Sequence, residues 1–288
     1  MKKNQIFENI VHGIFMALGL LTIGCVLLIT IYLIISGLPA IKEIGLFNFL
    51  LGDVWASTAG EAKFGILPFL LSSVYGTLGA ILIGVPIGIF TAIYLSKMAS
   101  EKIKSIVGSA VSLLAGIPSV IYGLVGMIVL VPMVRSTFKV ADGASLFSSI
   151  IVLAIMILPS IIKMSVTALD AVPKEYEDAS FALGATPIET YFKVSLPAAK
   201  SGIAAAVVLG VGRAIGEAMA VMMVSGNMPN MPNSLFQSVQ FLTTAVASEM
   251  AYSSGLQRQA LFSIALVLFV FIMMINALLN YFLKREKE

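Results

Sequence analysis

Charged residues are scarce in this sequence, and their scarcity excludes several classes of protein. Only 11% of the 288 residues are charged and 59% are apolar, whereas an average soluble domain has about 25% charged residues. A water-soluble globule, a disordered chain and a nucleic-acid-binding module do not fit this composition. The net charge of +3 is too small to indicate a polyanionic partner.

Cysteine and histidine each occur once. The single cysteine, Cys25, excludes an internal disulfide framework and a cysteine-ligated metal cluster. The single histidine, His12, argues against a histidine-based metal site or proton relay. We therefore expect neither a metal site nor a cofactor bound by this chain.

Long stretches without charge are what the sequence contains instead. A helix needs about 20 mostly apolar residues to cross the hydrocarbon core of a bilayer. The sequence predicts an all-α polytopic membrane protein, which is a single transmembrane domain over residues 1–288. Its six predicted spans lie at about 10–36, 68–96, 106–133, 146–166, 201–225 and 259–283.

The distribution of basic residues predicts the orientation, because cytoplasmic segments carry an excess of Lys and Arg. With the N-terminus in the cytoplasm, twelve of the 18 basic residues lie inside, five lie outside and Arg213 lies within a span. We therefore expect a multi-pass protein with both termini in the cytoplasm. Residues 169–200 then form its longest cytoplasmic segment.

Within that segment the sequence predicts two short helices joined at a glycine, here named the elbow (residues 173–197). Pro173 suits the first turn of a helix, and the acidic residues after it favour the positive end of the helix dipole. Gly184 is a typical C-terminal stop. Thr186 then caps the second helix, in a capping box with Glu189.

Arg213 and Glu217 lie inside a predicted span. A charge at the centre of a spanning helix costs about 2.5–3.5 kcal/mol on insertion scales, so these side chains should face protein or a water-filled path. Four residues apart, they share one helix face and can pair. Small residues on that face, Gly202, Ala206 and Gly210, would let a neighbouring helix approach closely.

Two interpretations of this charged pair stay open. In the first, the planar guanidinium of Arg213 binds an oxyanion such as phosphate as it crosses the membrane. Glu217 would then hold the arginine in place and keep the anion from binding too tightly to leave. In the second, the pair is a structural ion pair that locks two helices together.

Pro118 lies in the middle of the third predicted span. A proline removes one helical hydrogen bond and can kink a helix, which frees a carbonyl group. Ser119 and Tyr122 add hydroxyl groups beside it. Three interpretations stay open. This part of the helix lines a path, it acts as a hinge, or its kink serves helix packing alone.

The elbow is similar to the cytoplasmic signature of ABC importer permeases, which reads E-A-A, three residues, Gly, nine residues and I-x-L-P. The same spacing holds here for Asp178-Ala179-Ser180, Gly184 and Val194-Ser195-Leu196-Pro197. Asp replaces Glu, Ser replaces the second Ala, and Val replaces Ile. In that family the elbow docks into a groove of the ATPase subunit. The alternative is an amphipathic loop on the membrane surface.

Three further strings resemble the permeases of phosphate ABC importers, and they are most similar to the PstC-type subunit. The resemblance covers about residues 45–285. The strings are Gly212-Arg213-Ala214-Ile215-Gly216-Glu217-Ala218-Met219-Ala220-Val221, Ala115-Gly116-Ile117-Pro118-Ser119-Val120-Ile121-Tyr122-Gly123, and Phe64-Gly65-Ile66-Leu67-Pro68 preceded by Trp55.

The resemblance implies a six-helix permease with a type I ABC importer fold in a bacterial inner membrane. The implied partners are a PstA-type permease, a PstB-type ATPase dimer, a PstS-type phosphate-binding protein and membrane lipid, without nucleic acid. ATP and Mg²⁺ would be used by the ATPase, since this chain has no Walker A pattern and is not expected to be an enzyme.

The resemblance also implies roles for two sets of residues. The substrate path would include Arg213, Glu217, Ser119, Tyr122 and Pro118. The coupling surface for the ATPase would include Asp178, Ala179, Ser180, Gly184, Leu196 and Pro197.

Three other functions remain open at the level of sequence. The chain could be a permease for another solute, such as molybdate, sulfate or phosphonate. It could be an anion channel, which would need no ATPase. A membrane enzyme is the third, although the sequence offers no plausible catalytic cluster.

Overall fold

The computed structural model describes the backbone of residues 2–57 and 60–285, and this part is mainly helical. Its helices are α1 (Lys2–Ile44), α2 (Leu46–Leu51), α3 (Leu67–Ile93), α4 (Glu101–Gly116), α5 (Ser119–Val125), α6 (Val131–Phe138), α7 (Leu146–Asp170), α8 (Lys174–Ala182), α9 (Pro187–Thr190), α10 (Leu196–Ala198), α11 (Lys200–Gly216), α12 (Met219–Val224), α13 (Leu242–Glu249) and α14 (Gly255–Arg285). Three π-helical segments, Tyr94–Met98, Gly126–Leu130 and Tyr191–Ser195, continue α3, α5 and α9. A short antiparallel hairpin pairs β1 (Trp55–Ala56) with β2 (Lys63–Phe64).

The helices agree with the predicted all-α membrane fold. In the described part of the chain, five helical runs are long and apolar enough to cross a bilayer: Ile10–Ile44, Leu67–Met98, Ser119–Phe138, Leu146–Asp170 and Gly255–Leu278. A sixth arises if Pro187–Ala198 and Lys200–Gly216, which meet at an angle of 72°, form one bent span.

Two predicted spans differ from the structure because their helices are interrupted. The span at 106–133 is not continuous: α4 ends at Gly116, Ile117 and Pro118 are extended, and the apolar run long enough to span is Ser119–Phe138. Proline disfavours the helical conformation of the residue before it, which explains the extended Ile117. The span at 201–225 is likewise divided between α11 and α12.

Helix α7 lies at the centre of the bundle, between α3 and α11. About two thirds of its apolar window is buried. Glycines of α3 allow the two helices to approach closely: a Cβ atom at Gly84 would lie 2.7 Å from Cδ1 of Ile157, and one at Gly88 would lie 2.7 Å from Cγ2 of Ile161. Close backbone approach across small residues is the usual way in which membrane helices associate.

Helix α1 lies outside this bundle and packs on α14 near its own C-terminal end. The Ser263 hydroxyl donates a hydrogen bond of 2.6 Å to the Gly37 carbonyl, and the rings of Tyr32 and Phe262 meet edge to face. None of the most apolar window of α1 is buried within this chain. The helix therefore presents an apolar surface on most of its circumference.

The hairpin and α13 cap one end of the bundle. Trp55 is buried against Phe64 and Phe69, and its indole nitrogen donates a 3.2 Å hydrogen bond to the Glu249 carboxylate. Gln257 donates to the same carboxylate at 3.1 Å. A partly buried carboxylate thus ties the hairpin, α13 and α14 together.

Candidate functional site

The break between α11 and α12 is held by side chains. Helix α11 ends at Gly216, and Glu217 is extended. One carboxylate oxygen of Glu217 accepts a 3.0 Å hydrogen bond from the Ala220 backbone N–H, and its carbonyl accepts a 2.8 Å bond from the Thr243 hydroxyl. Glu217 therefore satisfies a free N–H group in the first turn of α12, as helix-capping side chains do.

The predicted pairing of Arg213 with Glu217 is wrong. The ion pairs within the described residues are Lys97–Glu177, Lys104–Asp170 and Lys193–Glu189. Pairing at a spacing of four needs a helix that continues through both residues. Because α11 stops before Glu217, the two charged groups leave their common face.

Arg213 instead contacts α7. Its guanidinium donates a 3.2 Å hydrogen bond to the hydroxyl of Ser160, and the side chain is half-buried. The small residues on its helix face do meet a neighbouring helix, as predicted. Ala206 is fully buried, and a Cβ atom at Gly210 would lie 3.0 Å from Cδ1 of Ile161 on α7. This contact fixes the arginine beside α7.

The interruption at Pro118 is stabilised in a related way. Proline frees the carbonyl four residues before it, here that of Leu114. The Tyr122 hydroxyl donates a 2.7 Å hydrogen bond to this carbonyl, and the Ile117 N–H donates a second one of 3.2 Å to the same oxygen. The tyrosine thus bridges the break between α4 and α5. Ser119 is half-buried and begins α5.

The two interrupted helices meet inside the bundle. A Cβ atom at Gly123 on α5 would lie 2.8 Å from the Cα atom of Ala220 on α12, so the two backbones are nearly in contact. Arg213 is also close enough to Tyr122 for their side chains to interact electrostatically. The fold therefore brings the predicted path residues of both helices to one region: Pro118, Ser119, Tyr122, Arg213 and Glu217.

The elbow forms at the end of the bundle opposite the hairpin and α13. Helix α8 has no buried residue, and Gly184 after it has φ +83°, a left-handed conformation that favours glycine. The predicted capping box at Thr186 and Glu189 is present. Leu196 and Pro197 lie in α10, just before the 72° bend into α11.

The predicted coupling residues of the elbow differ in exposure. Asp178, Ala179, Gly184 and Pro197 are exposed. Ser180 is half-buried, with its hydroxyl 2.8 Å from that of Thr190. Leu196 is half-buried and packs against the apolar cluster that contains Ala199 and Ile203. The exposed residues form a surface open to another protein, and the others connect the elbow internally.

Two hydrogen bonds attach Glu189 to Thr186. The Thr186 backbone N–H and hydroxyl donate to its carboxylate at 3.1 and 2.9 Å. These bonds, with a smaller contribution from Lys193, hold the pKa of Glu189 below its ordinary value. The charged form of Glu189 therefore stabilises the start of the second elbow helix.

Sequence reasoning missed three contacts at these sites. Ser160 is the hydrogen-bond acceptor for Arg213, and Lys97 and Ser195 both contact Glu177, the residue before Asp178. A hydroxyl directly after Pro159 in a span was a weak signal for Ser160. Nothing in the sequence paired Lys97 with Glu177.

Among the residues described, no group of three or more His, Cys, Asp and Glu side chains is placed to hold a metal ion.

Comparison with known proteins identifies similar sequences over most of the chain. Residues 84–288 match the family described as "Binding-protein-dependent transport system inner membrane component". A probable ABC transporter permease protein of Bacillus subtilis, YqgH, is 38% identical over 94% of this chain and 89% of its own. The phosphate transport system permease protein PstC of Mesorhizobium japonicum is 33% identical over 96% of this chain and 90% of its own.

Solved structures with a similar fold are transporters as well. An inward-facing structure of the MetNI methionine ABC transporter matches with a TM-score of 0.57 and 20% identity, over 77% of this chain and 94% of that chain. An amino acid ABC transporter matches with a TM-score of 0.54 and 21% identity, over 76% of this chain and 92% of that chain. At these identities the likeness concerns the fold.

Proposed function

Because the chain belongs to the family of binding-protein-dependent transport system inner membrane components, we propose that it is a transmembrane subunit of an ATP-driven phosphate importer. It is a multi-pass inner-membrane permease of an ABC importer, with the type I fold. Phosphate as the substrate is supported by relatives named as phosphate permeases and by the chemistry around Arg213.

The observation that carries the proposal is the state of the Arg213 guanidinium. It is half-buried, it donates a hydrogen bond to a neutral hydroxyl, and it forms no ion pair among the described residues. A cation without a counter-charge is costly inside a membrane domain. Its planar donors match the oxygens of phosphate, which would supply the missing negative charge as it passes.

The other path residues support this arginine. Glu217 holds the break after α11 through its bonds to Ala220 and Thr243 and forms no ion pair with Arg213, so that the positive charge stays available. Tyr122 and Pro118 shape the second break, and the Ser119 hydroxyl is a further donor beside it. In this proposal phosphate passes beside Arg213, next to the close contact of the two interrupted helices and not between their backbones.

The elbow is the surface for the ATPase. In the proposed assembly this chain pairs with a PstA-type permease, each permease docks on one subunit of a PstB-type ATPase dimer, and a PstS-type protein delivers phosphate. Asp178, Ala179 and Gly184 are exposed on the elbow and are available for docking. Both termini and the elbow face the cytoplasm, where the ATPase uses ATP and Mg²⁺.

Phosphate uptake into vesicles tests the proposal. Arg213→Ala in the reconstituted assembly should lower uptake of radiolabelled inorganic phosphate roughly 10- to 100-fold, which is the loss expected for a hydrogen bond to a charged group. Arg213→Lys keeps the charge and should retain part of the uptake. The ATPase should co-purify with both variants.

Two results would contradict the proposal. Normal phosphate uptake by Arg213→Ala would remove the arginine from the path. Uptake of molybdate, sulfate or phosphonate by the wild-type assembly, without phosphate uptake, would assign the permease to another solute.

A further inference from the structure

Specific polar contacts join helix α8 to the bundle. It contributes no buried residue, and Tyr176 and Phe181 are 55% and 39% exposed. An element without a fully buried side chain can be moved by a partner unless specific polar contacts fix it. The contacts of α8 therefore determine how the rest of the chain responds when the elbow moves.

The strongest of these contacts is made by Glu177. Its Oε1 atom lies 2.6 Å from Nζ of Lys97 and accepts a 2.8 Å hydrogen bond from the Ser195 hydroxyl. The two charged side chains are only 15% and 11% exposed, and Ser195 is fully buried. One carboxylate oxygen thus joins α8 to the end of α3 and to the segment before α10.

Both partners of Glu177 lie in π-helical segments. Lys97 belongs to Tyr94–Met98 and Ser195 to Tyr191–Ser195. The wider turn of a π-helix interrupts the regular hydrogen-bond ladder and is often found at functional positions. Glu177 therefore contacts the bundle at two places where the helices depart from regular geometry.

The neighbouring acid, Asp178, has a different environment. It is exposed, and it belongs to the surface that we assign to ATPase docking. Two adjacent carboxylates thus point to different surroundings, one towards this chain and one away from it. Glu177 thus lies between the exposed side of α8 and the bundle.

The π-helical segment that carries Lys97 packs into the core. In the same segment Leu95 is 3% exposed and packs with Val111 and Ile162, and Ile93 just before it is 2% exposed. Helix α3 then runs against α7, the helix that carries Ser160 beside Arg213. Chains of packed side chains and helices are one physical route for coupling between distant sites.

From this geometry we infer that Glu177 is a positioning residue, which transmits movement of the elbow to α3 through its ion pair with Lys97. The inference rests on the proposed function, since it needs an ATPase that moves the elbow. Loss of either charge leaves the other nearly buried without its partner, which is strongly unfavourable. Exchange of the two charges restores the pair, and the Ser195 hydroxyl can donate or accept in either arrangement.

The test compares coupling in the assembled transporter, reconstituted in lipid vesicles. Glu177→Gln and Lys97→Gln should each lower the number of phosphate ions taken up per ATP hydrolysed by roughly 2- to 30-fold, the range of energetic coupling between sites. ATP hydrolysis and ATPase co-purification should persist. The double exchange, Glu177→Lys with Lys97→Glu, should recover a large part of the ratio.

A matched control and a contrasting variant sharpen the result. Lys104→Gln removes a more exposed pair with Asp170 at the same end of the bundle and should leave the ratio unchanged. Asp178→Asn should weaken ATPase attachment and leave the number of phosphate ions taken up per ATP unchanged. An unchanged ratio in both single variants, or no recovery in the double exchange, would overturn the inference.

Hydrogen exchange separates this inference from the proposed substrate. In the wild-type assembly ATP should alter exchange in both α8 and Tyr94–Met98, whereas in Glu177→Gln only α8 should respond. An equal response of both segments in the variant would refute the role of Glu177. Absence of phosphate uptake in the wild type would refute the substrate alone, because the exchange experiment does not depend on it.

Discussion

The break at Glu217 and the elbow both interrupt helices, yet they are held in different ways. At the break, the Glu217 carboxylate and carbonyl are both hydrogen-bonded, and Ala220, Val221 and Val224 after it are fully buried. At the elbow, α8 has no fully buried residue and Leu183 is 90% exposed. One interruption lies within the packed bundle and the other projects from it.

This difference separates a fixed site from a movable attachment. Changes at the break should disturb packing and therefore the stability of the whole bundle, because interiors are close-packed. Changes at the elbow should leave the bundle intact and alter its attachment to a partner. Three substitutions and one pH dependence test this distinction, in order of decreasing effect.

Gly123→Val should have the largest effect on stability. The new side chain would meet the Ala220 backbone, because even a Cβ atom at position 123 would lie 2.8 Å from the Ala220 Cα atom. Overpacking of this kind costs about 1–3 kcal/mol, so the thermal midpoint in detergent should fall. Gly108→Val is the control, because a Cβ atom there has no neighbour within 4 Å. Equal midpoints for the two variants would contradict the close packing of the breaks.

Gly184→Val should strain the elbow without loosening the bundle. The φ of +83° disfavours a β-branched residue by about 1–2 kcal/mol. We expect less ATPase to co-purify with the variant, while the thermal midpoint stays that of the wild type. Leu183→Ala, at an exposed neighbouring position, serves as the control. A midpoint lowered as far as in Gly123→Val would mean that the elbow is part of the packed core.

Tyr122→Phe should have a smaller effect at the interior break. It removes the hydroxyl that donates to the Leu114 carbonyl at 2.7 Å, a hydrogen bond worth about 0.5–1.5 kcal/mol. The thermal midpoint should fall slightly. Tyr75→Phe, at a tyrosine that is 45% exposed on α3, should leave it unchanged. A midpoint that stays unchanged in Tyr122→Phe would show that the tyrosine does not bridge the break.

Glu189 should give a small, local dependence on pH. Its pKa is lowered in the folded elbow, mainly by hydrogen bonds from Thr186, so its contribution is complete above the ordinary value of 4.5. That contribution is lost as the pH falls through the lowered pKa. Hydrogen exchange of residues 186–190 should be slower in the wild type than in Glu189→Ala at neutral pH. A difference that persists in strong acid would contradict this assignment.

Sequence reasoning succeeded where the interacting residues are close in the chain. Thr186 and Glu189 are three residues apart, and Pro118 acts on its own preceding turn, so both could be predicted. The predicted pairing of Arg213 with Glu217 was wrong because the end of α11 depends on the bonds of Glu217 to Ala220 and to Thr243, which lies on a separate helix. The Lys97–Glu177 pair joins distant parts of the chain, and no local pattern encodes it.

The peripheral position of α1 has a consequence for its surroundings. Among the positions of α1 whose burial the structure describes, the buried ones are Gly37 and Ala40, both in the last third of the helix. The apolar side chains from Ile14 to Ile29 face away from this polypeptide, so acyl chains or another subunit must surround them. Rearrangements among α3, α7 and α11 can therefore proceed without repacking α1.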